Sequence, residues 1–189
     1  IMIGLLLLSL LVHAQVLPPF VSFAHGGDSE LSAWASVPPT IDGDIKAEEW
    51  ASAANVTYTT TGDISGVFYV MNDAVNLYIA VVTTDPTLSK DGAGTDSVSL
   101  YFDNDHDGVG PESGDDIIGW RGYLGEGFKD GFSDGTYVWK KDTDYGGTSD
   151  GAADAKNNET HNHFEIMHPL DTLDPTHDFS LWMSNSPTV

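Results

Sequence analysis

The run Asp103-Asn104-Asp105-His106-Asp107-Gly108 sets three carboxylates at alternate positions and follows them with a glycine, where the backbone must turn sharply. Oxygen ligands at i, i+2 and i+4, closed by Gly, are what a hard cation such as Ca²⁺ needs to be wrapped by one short loop. The spacing matches the first half of an EF-hand loop, D-x-D-x-D-G. The second half departs from it, because position 12 is Gly114, where a bidentate Glu belongs. Glu112, Asp115 and Asp116 are the nearby acids that can supply the missing oxygens. The run is therefore expected to form a Ca²⁺ loop of non-EF-hand type from Asp103, Asp105, Asp107, Glu112, Asp115 and Asp116. The competing reading is a solvated Asp/Gly turn.

Two further groups of residues could carry metal chemistry. His161, His163 and Glu165 alternate, so on a strand two imidazoles and a carboxylate share a face and suit Zn²⁺ or a similar ion. Hydrogen-bonded or surface histidines are the competing reading. The stretch Asp142-Thr143-Asp144 to Asp150, Gly151 and Asp154 has the composition of a second Ca²⁺ loop. The sequence contains no G-x-S-x-G, H-E-x-x-H, P-loop or dinucleotide fingerprint, so no enzyme class is indicated. Acid pairs are so abundant that selecting a glycosidase dyad from them means nothing.

The chain's 29 acids against 7 bases give a formal charge of −22, which disfavours nucleic acid and anionic membrane surfaces as partners. Of the acids, 22 are Asp, a residue poor in helix interiors and favoured in turns, so the charge belongs to loops. Between Asp91 and Asp154 stand 13 Asp and 2 Glu against 4 bases, a density that opposes compaction unless cations neutralise part of it. A high-salt habitat explains such acidity equally well. Cysteine is absent, which removes thiolate metal sites, cysteine nucleophiles and disulfides.

Residues 3–11 are an apolar run too short to span a bilayer comfortably. It ends in Val12-His13-Ala14, which fits a signal-peptide cleavage site before Gln15. Residues 1–14 read as a secretory signal peptide, with an uncleaved anchor as the alternative, and either places the domain outside the cytoplasm or at the cell surface. Sequons at Asn55 and Asn158 agree with export. Residues 15–38 read as a Pro- and Ser-containing linker with one short ordered piece at residues 31–34.

The elements that must hold these residues are strands. Residues 67–71 and 76–82 flank a short turn and read as a hairpin. Residues 98–102, 136–139, 163–167 and 179–182 are further strands, and only residues 47–54 look helical. Many short strands with Gly/Asp turns argue for an all-β antiparallel sandwich or jelly roll.

Several of these segments carry a resemblance. Pro39-Thr40-Ile41-Asp42-Gly43-Asp44-Ile45 with Glu48, Glu49, Trp50 and Ala53 resembles the "IDG-x-x-x-x-E-W-x-x-A" opening of carbohydrate-binding module family 9-like domains, members of the wider DOMON-like sandwiches. Asp73 to Leu77-Tyr78-Ile79-Ala80 resembles that family's "D-x-x-x-L-Y-I-A" hairpin. Phe164-Glu165-Ile166-Met167-His168-Pro169-Leu170 resembles its "x-E-x-x-I-P-L" strand. The landmarks run in order from residue 39 to about residue 182, so residues 39–189 are expected to form one such sandwich. The family continues beyond the "PL" strand, and Asp178-Phe179-Ser180-Leu181 reads as a lead into another strand. The domain is therefore expected to lack its last C-terminal strands.

The resemblance implies binding rather than catalysis. Aromatic rings stacking on a glycan are the expected ligand contacts, with Trp120, Tyr123, Trp139 and Tyr145 as candidates and core packing as the competing role of any Trp. The reading is a secreted, Ca²⁺-stabilised, non-catalytic module for a polysaccharide or glycan. The alternatives are an envelope or adhesion domain of the same fold, or part of an extracellular glycosidase.

Overall fold

The computed structural model describes residues 32–60, 64–90, 94–105 and 107–181. The signal-peptide segment, residues 15–31 of the linker and Trp182 lie outside the described residues. Among the described residues ten strands form two sheets: β1 (Ala33–Trp34), β2 (Ala54–Thr59), β3 (Ser65–Asn72), β4 (Asn76–Thr84), β5 (Ser97–Phe102), β6 (Asp116–Arg121), β7 (Gly127–Ser133), β8 (Trp139–Lys141), β9 (Ala152–Asn157) and β10 (His161–Pro169). One sheet runs β1-β3-β4-β10-β9, with β2 also paired to β3, and the other runs β5-β6-β7-β8. All pairings are antiparallel except β1 with β3. The all-β sandwich expected from the strand pattern is the architecture.

The β3–β4 hairpin closes where the sequence places it, and Asp73 explains why. Its Oδ1 accepts from the Val75 and Asn76 amides at 2.7 and 2.8 Å, while Oδ2 accepts from the Tyr78 hydroxyl at 2.7 Å. An Asp side chain thus satisfies the turn amides that the ladder leaves over.

Alternation divides the apolar residues into two cores. Phe68, Val70, Leu77, Ile79, Val81, Val98, Leu100, Ile118, Trp120, Phe164 and Ile166 fill the space between the sheets. The opposite face of the larger sheet presents Met71, Tyr78 and Ala80, which residues 33–53 cover with Ala35, Trp50 and Ala53. Residues 47–54 are not the expected helix. Residues 47–52 form successive turns, with Glu49 and Trp50 amides bonded to the Lys46 carbonyl and Ala53 to that of Trp50, and Ala54 already opens β2. Tertiary contacts outweigh helix propensity in so short a segment: the Trp50 indole donates to Glu165 Oε1 at 2.9 Å, inside the second core.

The strand expected at residues 136–139 begins only at Trp139, since Tyr137 has a positive φ of 58°. Residues 179–181 form no strand; Phe179 instead stacks on Phe102 at 3.7 Å. Strands β2, β6, β7 and β9, all unforeseen, complete the sheets.

Candidate ligand face and metal-capable clusters

The acidic loop after β5 gathers three of its expected ligands. Asp103, Asp105 and Asp107 each offer a carboxylate oxygen, all within 4.8 Å of one another. Gly108, at φ 79°, makes the turn, and its amide donates to Asp103 Oδ2 at 2.8 Å. Asp107 N faces Asp103 Oδ1 and Asp105 Oδ1, each at 3.3 Å, and Val109 N donates to Asp107 Oδ1 at 2.7 Å. Glu112 joins this field: the charge of Asp107 raises its carboxyl above the ordinary value. Asp115 is buried beside it, accepts the Glu112 amide at 2.9 Å, and is raised first by burial and further by Asp103 and Asp105.

Asp116 does not belong to this group. It starts β6, where neighbouring side chains point to opposite faces, and it faces the space between the sheets with Ile118 and Trp120. There it meets three acids and an imidazole that the sequence reading did not connect: Asp130 from β7, Asp142 at the start of the helical turn α1 (Asp142–Tyr145), His168 from β10, and Asp178. All five are buried. Asp130 Oδ1 and Asp178 Oδ1 stand 3.9 and 3.6 Å from His168 Nε2.

Hydrogen bonds occupy one side of these groups and leave the other bare. Phe179 N donates to Asp116 Oδ2 at 2.6 Å, Asp150 N to Asp130 Oδ2 at 2.8 Å, and Thr172 Oγ1 to Asp178 Oδ2 at 2.7 Å. His168 Nδ1 lies 2.8 Å from the Pro169 carbonyl, which can only accept, so Nδ1 donates there and Nε2 is the nitrogen turned toward Asp130 and Asp178. Asp116 Oδ1, Asp130 Oδ1, both Asp142 oxygens, Asp178 Oδ1 and His168 Nε2 are buried without a hydrogen-bond partner. Among the described residues no Lys or Arg pairs with these four acids. Burial, reinforced by Asp142, Asp130 and Asp178, lifts Asp116 to about 9. Burial, reinforced by Asp130 and Asp178, lifts Asp142 to about 8, and burial lifts Asp130 to about 6.

The second acidic stretch is split up by the same packing. Asp142 goes to the interior cluster, Asp150 accepts from the Thr148 hydroxyl, and Asp154 is exposed on β9. The His161/His163/Glu165 face is likewise dispersed. Glu165 is saturated by the Trp50 indole and by the Asp42 and Gly43 amides at 3.0 and 2.7 Å. His161 is bonded to Thr160 and His163 to Asn158.

The aromatic candidates fall in different places. Trp120 is a correction: it is 3% exposed, tilted against Phe164 at 5.4 Å, and its alternation with Ile118 and Asp116 directs it inward, so it offers no face to a ligand. Tyr123 is exposed in a 3-10 turn (Tyr123–Gly125), with the Arg121 guanidinium 5.0 Å from its ring. Tyr145 is exposed on α1, its ring edge-on to Phe132 at 5.8 Å. Trp139 is half-buried on the outer face of the smaller sheet, 5.2 Å from Tyr101.

That outer face is ordered in rows by register: Ser97, Arg121 and Gly127; Ser99, Gly119 and Lys129; Tyr101, Ile117, Gly131 and Lys141. Tyr101 and Trp139 belong to opposite edge strands, about 14 Å apart at the usual strand spacing. Their rings therefore meet above the inner strands, where Gly131 contributes no side chain. Gly131 has no room for one, since a Cβ there would come within 2.3 Å of the Lys140 carbonyl. The Ser97 and Ser99 hydroxyls and the Lys129 amine have no hydrogen bond or ion pair among the described residues. Burial, with Arg121 nearby, depresses Lys129 to about 8. Tyr101 was not among the expected contacts, although Ser97-Val98-Ser99-Leu100-Tyr101-Phe102 places it opposite the core side chains by alternation alone.

No helix of the described residues is long and apolar enough to cross a membrane. No protein-family model matches the chain, and no curated protein matches it. Among solved structures it is similar to a carbohydrate-binding module family 9 from Caldicellulosiruptor kristjanssonii in complex with glucose, at 18% identity and a TM-score of 0.47 over 73% of this chain and 68% of that one. It is similar also to that organism's family 9 module in complex with cellotriose, at 17% identity and a TM-score of 0.47 over 73% and 67% of the two chains.

Proposed function

We propose that the chain is a non-catalytic carbohydrate-binding module whose ligand lies on the outer face of the β5–β8 sheet. The observation that carries this reading is the Tyr101–Trp139 bridge beside two hydroxyls and a half-buried amine that have no hydrogen-bond or ion-pair partner among the described residues, with Arg121, against Tyr123 and paired with Glu126, at the far end. An apolar ring surface next to unsatisfied donors suits a ligand that is itself apolar on its ring faces and hydroxylated at its edges. The motif resemblance of residues 39 to about 182 to family 9-like domains points to the same ligand class. In this reading the module works outside the cytoplasm, and the Asp103–Asp107 loop takes Ca²⁺ as a structural clamp, with Glu112 and Asp115 at its margin.

A glycan array followed by calorimetric titration with cellotriose tests the ligand. Trp139→Ala and Tyr101→Ala are each expected to weaken binding about tenfold or more, as removal of a stacking anchor does elsewhere. No binding to any glycan, with or without Ca²⁺, would instead favour an envelope or adhesion role. For the loop, replacing Asp103 and Asp105 with Asn is expected to abolish Ca²⁺-linked stabilisation against heat. An unchanged melting temperature in EGTA would refute the clamp.

A further inference from the structure

We propose that Asp130, His168 and Asp178, flanked by Asp116 and Asp142, form a structural site for a divalent transition-metal ion that fastens the two sheets and the segment after β10 together. This site is separate from the surface loop and from the ligand face.

An acidic cluster by itself is no metal site, since exposed carboxylates are stable in water. Here the carboxylates are shut inside the sandwich, and six of their and the imidazole's polar atoms are buried without partners. Native proteins leave few such atoms, because each loses its water and gains nothing. Three of the aspartates have one oxygen held by an amide or hydroxyl donor and the other left bare. His168 repeats the pattern, its Nδ1–H on the Pro169 carbonyl and its Nε2 bare. Outer-shell bonds that orient each ligand while sparing one lone pair are the usual support of a metal centre.

The spacing agrees. Nε2 lies 3.6 and 3.9 Å from the bare oxygens of Asp178 and Asp130, beyond hydrogen-bond reach. An ion about 2.0–2.2 Å from each ligand fits between atoms so placed. An imidazole nitrogen among carboxylates selects Zn²⁺ or Mn²⁺ over Ca²⁺ or Mg²⁺, which take oxygen ligands almost alone. The ligands come from β7, from β10 in the opposite sheet, and from the segment carrying Asp178. One ion therefore crosslinks β7 of one sheet to β10 of the other and to the segment that follows it.

The test uses the full chain carrying Asp105→Asn and Asp107→Asn, so that the surface loop does not contribute. Purified without chelator and dialysed, it is expected to retain Zn²⁺ or Mn²⁺ at one equivalent by elemental analysis. Stripping the metal should lower the melting temperature by about 5–10 °C, and Zn²⁺ or Mn²⁺, but not Ca²⁺, should restore it. Loaded with Co²⁺, the protein should show one exchangeable, paramagnetically shifted proton, the Nδ1–H of His168. His168→Asn keeps a donor for the Pro169 carbonyl and should remove the Co²⁺ signal. Should that variant fail to fold, the shifted proton of the unmutated cluster still decides. Absence of retained metal, a melting temperature indifferent to chelator, recovery with Ca²⁺ alone, or a Co²⁺ form without the imidazole proton would each overturn the assignment.

Discussion

Glu165 and Trp50 offer a measurable test of how the N-terminal segment is tied to the larger sheet. Glu165 is buried on β10 and accepts three hydrogen bonds: Trp50 Nε1 at 2.9 Å on Oε1, and the Asp42 and Gly43 amides at 3.0 and 2.7 Å on Oε2. Burial raises its carboxyl above the ordinary value, so the desolvation cost exceeds what the three donors return to the charged form. Glu165→Gln preserves shape, and its amide oxygen can still serve both backbone donors. Its NH₂ then faces the indole N–H, donor against donor, at a cost of about 1–3 kcal/mol for the unsatisfied pair. Trp50→Phe removes that donor and leaves Oε1 bare, with a similar cost plus a small cavity. In the double variant the amide no longer meets a donor. Its loss should fall short of the sum of the single losses by about 1–2 kcal/mol. Urea unfolding of the four proteins measures this coupling, and each kcal/mol also moves the melting temperature by about 2–4 °C in a chain of this size. Single losses that add within about 0.5 kcal/mol would refute the reasoning, because independent sites behave that way.

The remaining predictions concern a lysine and a glycine. With Lys129 depressed to about 8, roughly half of its amine is neutral at pH 8, against well under 1% for a lysine at its ordinary value. Acylation at pH 8 followed by peptide mapping should therefore find Lys129 modified ahead of the exposed Lys141; equal rates would refute the shift. The sign for stability follows from the folded chain binding this proton less well than the unfolded chain. Stability falls as pH drops from about 10.5 to about 8 and changes no further below that from this group, and Lys129→Met should flatten the slope in that window. Gly43→Ala should destabilise by about 1–3 kcal/mol in urea unfolding, because φ is +76° and a Cβ would stand 2.8–2.9 Å from the backbone of Ala155 and Lys156. A neutral effect would mean that residues 42–44 are not docked on β9.

The sequence by itself determined the fold class, the hairpin at Asp73, and the gathering of Asp103, Asp105 and Asp107, since all three depend on neighbours within a few residues. Period-two alternation and turn chemistry act locally, so they are legible without coordinates. Alternation also held clues that went unused. Asp116, Asp130 and His168 each occupy the apolar side of a strand, in Asp116-Ile117-Ile118-Gly119-Trp120, Phe128-Lys129-Asp130-Gly131-Phe132 and Phe164-Glu165-Ile166-Met167-His168. A charged residue on an apolar face signals a partner, though not its identity. Only the tertiary structure could bring these residues together, because β6, β7, β10 and the Asp178 segment are up to about sixty residues apart and meet only when two sheets close on each other. The same closure buried the side of β6 that carries Asp116 and Trp120, and set Tyr101 and Trp139 on the opposite face. Each outcome depends on which faces the sheets bury, and that choice is made by long-range packing rather than by spacing along the chain.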